Sequence, residues 1–499
     1  MLTNSIRYLI LTTALALTAI VNASAQTFKL ANILQSNMVI QQNKPFRLWG
    51  TAKPGDRIKL NTDWTDRVTT AVADENGNWI GEVKVPKAHS GDFKPHVIVV
   101  IDGNDNIKLD NLLIGDLWFC LGQSNMDMPV AEEKPWTYRG VPDFEKEVAN
   151  ASYPNIRLYR SDWQFRIAPA TDTKGKWQEC SPESVKNFSA VAYFFGRKLY
   201  QQINIPIGLV VSAVPGAGTQ AFVSRETLAQ DTVLKRVYLD PYQKIISSQK
   251  SVDSIGLFPS VTKPTLIYNA MIYPLFNLSI KGMIYYQGES NITDKRENYM
   301  PLFTAMVAQL RNEFKQGDFP FYYTQIAPNM EKTDDNETFN AAIFKETQEK
   351  FLSIKNTGMA VTMDVGEQHN VHPRDKKPVG ERLAAIALNK TYHQDMPYLG
   401  PHISRFEVHG NEVKVFFKKD GLGMGLITKD GKAPQDFCIA GDDHKFYWAT
   451  AKIVGDNVIL TSDKVTKPIA VRYGFTNGAV TNLQNKEGLP AVPFRTDDW

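Results

Sequence analysis

Short stretches in which apolar and polar residues alternate fill the chain from about residue 30 to residue 107. Residues 46–49 and 79–83 are two examples, and turn signals such as Asn76-Gly77 separate them. Alternation with a period of two is typical of strands, and no run of useful length has the 3.6-residue period of a helix. This part of the chain is therefore predicted to be a small β domain.

From about residue 111 the pattern changes to apolar runs that alternate with segments of helical periodicity. Strand-like runs occupy residues 112–121, 205–214, 283–286, 319–326 and 359–363, and helical patterns occupy residues 188–199, 300–314, 339–352 and 379–388. Strands that alternate with helices form parallel sheets covered on both faces. The central region is therefore predicted to be α/β with a doubly wound parallel sheet.

After about residue 398 the helical signals stop and short strand-like runs return, for example at residues 413–417 and 470–473. We therefore predict three regions: a β-sandwich-like domain over residues 26–110, an α/β domain over 111–397 and a β-rich region over 398–499.

The first 25 residues have the pattern of a secretory signal peptide. Arg7 precedes an apolar run over residues 8–20, and Ala23-Ser24-Ala25 matches the small-residue cleavage pattern before Gln26. The alternative is a membrane anchor, but the run is too short for a comfortable span. We expect export to the periplasm or the medium, with no membrane insertion after cleavage.

The net charge and the cysteine content argue against a nucleic-acid-binding protein and against a zinc site. The 499 residues include 56 basic and 53 acidic side chains, a formal net charge of +3 that gives no electrostatic basis for binding nucleic acid. The three cysteines, Cys120, Cys180 and Cys438, allow at most one disulfide, and their spacing does not indicate a zinc site.

Candidate chemistry follows the predicted strands of the central sheet, where open parallel sheets bind ligands. Gly122-Gln123-Ser124-Asn125-Met126 comes after the first strand, and a serine in a tight turn before a helix has an exposed hydroxyl. A helix-capping serine would have the same pattern. Gly216-Ala217-Gly218-Thr219 comes after the second strand, where glycine lets a backbone N–H approach a ligand.

The third and fifth strands are followed by titratable residues. Gln287-Gly288-Glu289-Ser290-Asn291 offers a carboxylate and an amide donor, and Asp364 precedes His369-Asn370-Val371-His372-Pro373. Histidine is suited to accept a proton near neutral pH. His369 and His372 could instead be a metal pair, but no third His or Cys lies nearby in sequence, so we predict no metal.

Together these motifs place a nucleophile, oxyanion donors, a carboxylate and a base at one predicted edge of the sheet. Acyl transfer needs this set of groups.

The motifs also resemble a known family. Gly122-Gln123-Ser124-Asn125-Met126, Gln287-Gly288-Glu289-Ser290-Asn291 and His372-Pro373 with the segment 377–383 are similar to the sialate O-acetylesterase family of SGNH hydrolases. Residues 37–41, 224–226 and 485–490 extend the similarity over nearly the whole mature chain. The resemblance implies a flavodoxin-like three-layer α/β sandwich, no cofactor, and an O-acetylated sugar or glycan as substrate, with 9-O-acetyl sialic acid the first choice.

The resemblance implies roles for individual residues. Ser124 would be the nucleophile and His372 the base, and the N–H groups of Ser124 and Gly218 with the Asn291 side chain would form the oxyanion hole. Gln287 and Arg225 would contact substrate, and Arg225 would either meet a sialic acid carboxylate or form a structural ion pair.

Two roles stay open at this point. Many SGNH enzymes have an Asp three residues before the catalytic His, where this chain has His369. The carboxylate that orients His372 would be Glu289, which is preferred, or Asp364. Alternatively, Ser124 and His372 would act as a dyad without a carboxylate. The backbone donor of the second loop could be Gly216 in place of Gly218.

Three other functions compete. An α/β-hydrolase would need glycine two residues after the serine, where this chain has Met126. The same site could act on acetylated plant polysaccharide of the xylan type, or on a lipid ester. A non-catalytic carbohydrate-binding protein would not need both a nucleophile and a base.

Overall fold

The protein is a mixed α/β structure with several sheets. The computed structural model describes residues 27–132, 140–243, 261–330 and 339–499. The predicted signal peptide lies outside these ranges.

The N-terminal region is made of strands, as its alternating pattern predicts. β1, β3 and β6 form an antiparallel sheet, β7 joins β4 to β8, and β2 pairs with β8 in parallel. The strands are β1 (Lys29–Leu30), β2 (Val39–Gln41), β3 (Pro45–Thr51), β4 (Arg57–Thr62), β5 (Thr65–Val72), β6 (Asn78–Lys84), β7 (His96–Asp102) and β8 (Asp105–Gly122). The 18-residue strand β8 continues from this region into the central sheet, across the predicted boundary at residue 110.

The central sheet has the order β10-β9-β11-β8-β12-β13-β14, parallel except for β10. Its further strands are β9 (Tyr153–Ser161), β10 (Gly175–Cys180), β11 (Ile207–Ala213), β12 (Gly282–Tyr286), β13 (Phe321–Thr324) and β14 (Thr357–Ala360). The five predicted strands are all present, and β9 and β10 join them at one edge. Because the first predicted strand, β8, lies between the second and the third, a crevice opens at its carboxyl end.

Helices cover both faces of this sheet. The helices that bear on the site are α1 (Ser124–Asp127), α2 (Ala190–Ile203), α3 (Arg225–Gln230), α4 (Arg296–Phe314), α5 (Asn340–Lys350) and α6 (Lys377–Lys390), and further short α-helices lie at Phe144–Ala149, Pro182–Val185, Thr232–Leu234 and Lys419–Leu422. Trp118 and Cys120 of β8 pack in the cluster that contains α2 and α6, and Phe119 and Leu121 pack in the cluster that contains α4. Alternate residues of the strand therefore serve two opposite cores.

The C-terminal region has strands in three small sheets around its own core, which includes Phe437 and Tyr473. The strands are β15 (Ile403–His409), β16 (Glu412–Phe417), β17 (Leu426–Thr428), β18 (Phe437–Ala440), β19 (Phe446–Trp448), β20 (Thr450–Val454), β21 (Asn457–Thr461), β22 (Ala470–Tyr473), β23 (Leu483–Asn485) and β24 (Phe494–Arg495). Arg495 joins this region to Glu346 of α5 at 3.2 Å.

Cys120, Cys180 and Cys438 are buried free thiols. Within the described residues we find no helix that is both long enough and apolar enough to span a bilayer.

Lys345 on α5 leads to a prediction about stability. Its side chain is 0% exposed, and no described residue accepts a hydrogen bond from Nζ. Burial lowers the pKa of this lysine from 10.5 to about 7. The folded state thus disfavours the ammonium, so stability is highest above pH 10.5 and is lost as the pH falls through about 7. We expect Lys345→Met to stabilise the fold at pH 6 by roughly 2 kcal/mol, with a smaller gain at pH 10.

Thermal melts at both pH values check this expectation. Lys350→Met on the exposed side of the same helix is the matched control and should change little. An Lys345→Met melting temperature at or below wild type at pH 6 would contradict the prediction.

Candidate active site

Ser124 begins helix α1 directly beyond the carboxyl end of β8, at the crevice of the sheet. Gly122 makes the turn because a Cβ at this position would lie 2.2 Å from the Tyr286 carbonyl oxygen. The Gln123 N–H donates to that carbonyl at 3.1 Å. Since Ser124 is only 5% exposed, its surroundings are largely fixed by the neighbouring loops.

The loop after β12 lies beside this turn. It forms a 3₁₀ turn at Glu289–Asn291, and the Ser290 N–H donates to Gln123 Oε1 at 3.3 Å. Asn291 is 1% exposed, and all of its amide positions are used. Its Oδ1 accepts from Thr219 N–H at 2.9 Å and Gln287 Nε2 at 2.7 Å, and its Nδ2 donates to Gln220 Oε1 at 3.1 Å and Asp294 Oδ2 at 2.8 Å. The two donors to Oδ1, together with the Asp294 carboxylate that accepts from Nδ2, fix the orientation of the Asn291 amide.

The two candidate glycines of the loop after β11 differ in their surroundings. Gly218 donates its N–H to the Val261 carbonyl at 3.4 Å, a long bond. Gly216 has a φ of 76°, and its carbonyl accepts from Ser290 Oγ at 2.9 Å. The N–H of Gly218 is thus weakly held, and both glycines stay candidates for the backbone donor.

His372 lies in the loop between β14 and α6. Its backbone N–H donates to Asn370 Oδ1 at 3.0 Å, and Asn370 Nδ2 donates to Glu367 Oε2 at 2.9 Å. Burial, reinforced by the charge of Lys376, lowers the pKa of His372 from 6.5 to about 4. The imidazole is therefore neutral near pH 7, which is the form that accepts a proton.

The two candidate acids are in different environments. Asp364 is held by Arg382 through two bonds of 2.7 Å, and its side chain is 4% exposed. Glu289 Oε1 accepts from Asn125 Nδ2 at 2.5 Å, whereas its buried Oε2 has no hydrogen-bond partner among the described residues. Burial raises the pKa of the Glu289 carboxyl, against the opposing effects of Asn125 and Lys376. Asp364 therefore forms an ion pair with Arg382, whereas Glu289 is held by the neutral Asn125 amide inside the site.

Sequence reasoning singled out neither Asn125 nor Lys376. Asn125 is 0% exposed, and its Nδ2 donates to Val371 O at 2.9 Å as well as to Glu289. Its Oδ1 accepts from Nζ of Lys376, which is also 0% exposed, at 2.5 Å. Asn125 stands in the motif of Ser124, whereas Lys376 lies between His372-Pro373 and the segment 377–383. A polar residue in or beside a motif was the available signal.

Gln287 and Arg225 are placed differently. Gln287 is 0% exposed, and its Nε2 donates to Ala217 O at 3.1 Å as well as to Asn291. A direct substrate contact would require Gln287 to give up part of this network, so that role stays a prediction. Arg225 is the first residue of α3 and is exposed.

In the described ranges no three His, Cys, Asp or Glu residues come close enough together to hold a metal ion. His369 is exposed in a left-handed conformation with a φ of 59°, and its N–H donates to the Asn329 carbonyl at 3.0 Å.

Comparison with known proteins adds independent information. The profile of the family described as "Carbohydrate esterase, sialic acid-specific acetylesterase" matches residues 114–389. The sialate O-acetylesterase of Homo sapiens is 26% identical over 511 aligned residues, which cover 94% of this chain and 92% of the human protein. The Mus musculus sialate O-acetylesterase is 27% identical, with 94% of both chains covered.

A solved structure is also similar over nearly the whole length. The carbohydrate acetylesterase from Xanthomonas citri superposes with a TM-score of 0.81 at 32% identity, covering 94% of this chain and all of that one (100%). Because the family profile covers more than half of the chain and includes the loops that carry Ser124, Glu289 and His372, the chain belongs to the sialic acid-specific acetylesterase family of carbohydrate esterases and is a carboxylic ester hydrolase.

Proposed function

We propose that this chain is an exported serine esterase that removes O-acetyl groups from sugars, 9-O-acetyl sialic acid first among them. The proposal places a Ser124–His372 acyl-enzyme mechanism in a flavodoxin-like SGNH hydrolase domain over residues 111–397. The order of the five predicted strands, 2-1-3-4-5, supports that assignment. One observation carries the mechanism: the Asn125 side chain bonds both the Glu289 loop and Val371, so the three motifs meet around Ser124.

In the proposed first step His372 takes the proton of the Ser124 hydroxyl as its oxygen attacks the acetyl carbonyl. A tetrahedral intermediate forms, and its oxyanion is stabilised by the N–H groups of Ser124 and Gly218 and by Asn291. The imidazolium then protonates the leaving sugar oxygen, which departs and leaves an acetyl-enzyme. Water, activated by His372, releases acetate and restores Ser124.

Asn291 gives the first test of the oxyanion hole. Its Nδ2 hydrogens point to Gln220 and Asp294 in the free enzyme, so an oxyanion would have to replace one of these acceptors. We expect Asn291→Ala to lower kcat on the order of 10²-fold with a much smaller change in KM, because the donor acts on charge that develops in the transition state.

Steady-state kinetics on an aryl acetate measure both constants, with Thr293→Ala, an exposed change in the same loop, as the control. A change confined to KM would mean that Asn291 binds substrate and does not stabilise the oxyanion.

The substrate is tested by comparing kcat/KM for three esters: 9-O-acetyl sialic acid, an acetylated xylo-oligosaccharide and a long-chain aryl ester. We expect the acetylated sugars to be preferred, since the similar enzymes are described as acting on sialate or carbohydrate esters. Site similarity fixes a reaction better than it fixes a sugar.

A preference for the long chain would contradict the sugar-acetylesterase proposal. A preference for the xylan fragment would keep the mechanism and replace the sugar, which is the second candidate function. A protein that binds these sugars without releasing acetate would be a carbohydrate-binding protein.

A further inference from the structure

Asn125 makes contacts with three different segments of the site. Its Nδ2 donates to Glu289 Oε1 in the loop after β12 and to Val371 O, directly before His372. Its Oδ1 accepts from Lys376 Nζ at the beginning of α6. Since Asn125 follows Ser124 in α1, this single amide joins the nucleophile turn to both other loops.

Lys376 is an unusual residue to bury completely. Moving an ammonium out of water costs several kcal/mol, and an apolar residue of similar size would stabilise a purely structural position better. Its Nζ is 5.3 Å from the centre of the Tyr286 ring, on the strand that leads to Glu289. The charged groups that face it are Glu289, Glu367 and Asp375.

We propose that Asn125 and Lys376 are positioning residues, which fix the His372 loop and the Glu289 carboxylate relative to Ser124. This inference rests on the proposed function, because the two residues would position groups of that same active site. Neither residue has to touch substrate. Asn125 acts through the Val371 carbonyl, and Lys376 acts by holding the Asn125 amide in the orientation that lets its Nδ2 reach both acceptors.

The charge of Lys376 has a second consequence. Burial lowers the pKa of Lys376 to about 7, against the opposing pull of Glu289, Glu367 and Asp375. Burial and then the Lys376 charge lower the pKa of His372 to about 4. Removing the ammonium therefore raises the pKa of His372, and the acid limb of activity moves to higher pH. A residue that only filled space would leave that limb where it is.

The central experiment compares Lys376→Met with Lys377→Met, its exposed neighbour. We expect the acid limb of kcat/KM for an aryl acetate to rise by about 1 pH unit in Lys376→Met and to stay in place in Lys377→Met. The same shift should appear when the His372 ring is titrated by NMR, with the His372→Ala spectrum identifying its signal. An unshifted limb and an unshifted ring titration would overturn the role of Lys376.

Two further variants keep the test decisive if Lys376→Met does not fold. Lys376→Arg retains the charge, so its acid limb should stay at the wild-type pH even though its kcat falls. Asn125→Ala should lower kcat at least 10-fold with little change in KM, since a small displacement of the base relative to the nucleophile is costly. Wild-type kcat in Asn125→Ala would overturn the positioning role.

Failure of this inference can be told apart from failure of the proposed function. Turnover by Ser124→Ala would overturn the proposed function, whereas the NMR titration of His372 does not depend on turnover. An unshifted titration in Lys376→Met, with Ser124→Ala inactive, would overturn only the role given to Lys376.

Discussion

Ser124→Ala is expected to lose nearly all esterase activity, about 10⁴-fold or more in kcat, while its melting temperature stays near the wild-type value. The variant keeps the turn, because Gly122 and the Gln123–Tyr286 bond shape it and the Ser124 hydroxyl does not. Only the proposed nucleophile is removed. Aryl acetate turnover and a thermal melt measure the two quantities.

Ser290→Ala is the matched control, since this serine lies in the neighbouring loop and its hydroxyl donates to Gly216 O at 2.9 Å. It should retain most of its activity. His372→Ala should be about as damaging as Ser124→Ala, and the double variant should be little worse, because residues that act as one unit give non-additive losses. Wild-type-like turnover by Ser124→Ala would remove it as the nucleophile.

Glu289→Gln should mainly lower activity, whereas Asp364→Asn should mainly lower stability. Asp364→Asn should destabilise the fold by roughly 3 kcal/mol, because it leaves the buried Arg382 guanidinium without its carboxylate partner. Glu289→Gln should cost more activity per folded molecule, because the Glu289 carboxylate is joined through Asn125 to the His372 loop. Its melting temperature should change less, since Oε2 has no hydrogen-bond partner among the described residues.

Thermal melts and kcat on the folded fraction give both results. The double variant Asp364→Asn/Arg382→Met should recover part of the lost stability, because it removes the unpaired charge. If Asp364→Asn is the more damaging to activity, the acid role passes to Asp364. Small effects on activity from both would support a Ser–His dyad.

The sequence predicted the five strands that lead to the site because apolar residues dominate each of these runs. β9 was missed because Arg157 interrupts its apolar pattern. That side chain is 2% exposed in the structure and donates to the carbonyls of Pro154, Asn37 and Asn111. Hydrogen bonds formed by distant parts of the chain thus allow a charge in a buried strand, and local periodicity does not contain that information.

The same reasoning explains what was predicted at the site. Ser124, Glu289 and Asn291 stand shortly after β8 and β12, and His372 lies in the loop after β14, so the topology of the sheet brings them to one edge. The role of Asn125 depends on where Val371 and Lys376 lie in space, which is set by how the loop after β14 folds back over α1. The sequence leaves Asp364 as the alternative to Glu289, and it does not contain the two bonds that hold Asp364 to Arg382.

The length of β8 has a consequence for how this protein folds and for where it can be divided. One continuous strand pairs with β7 in the N-terminal region and with β11 and β12 in the central sheet, and it ends at Gly122, two residues before Ser124. Local melting of the N-terminal region would therefore fray the strand that leads to Ser124. We therefore expect the two regions to unfold as one cooperative unit, and a cut at residue 110 to expose a new strand end inside a sheet that extends to the proposed active site.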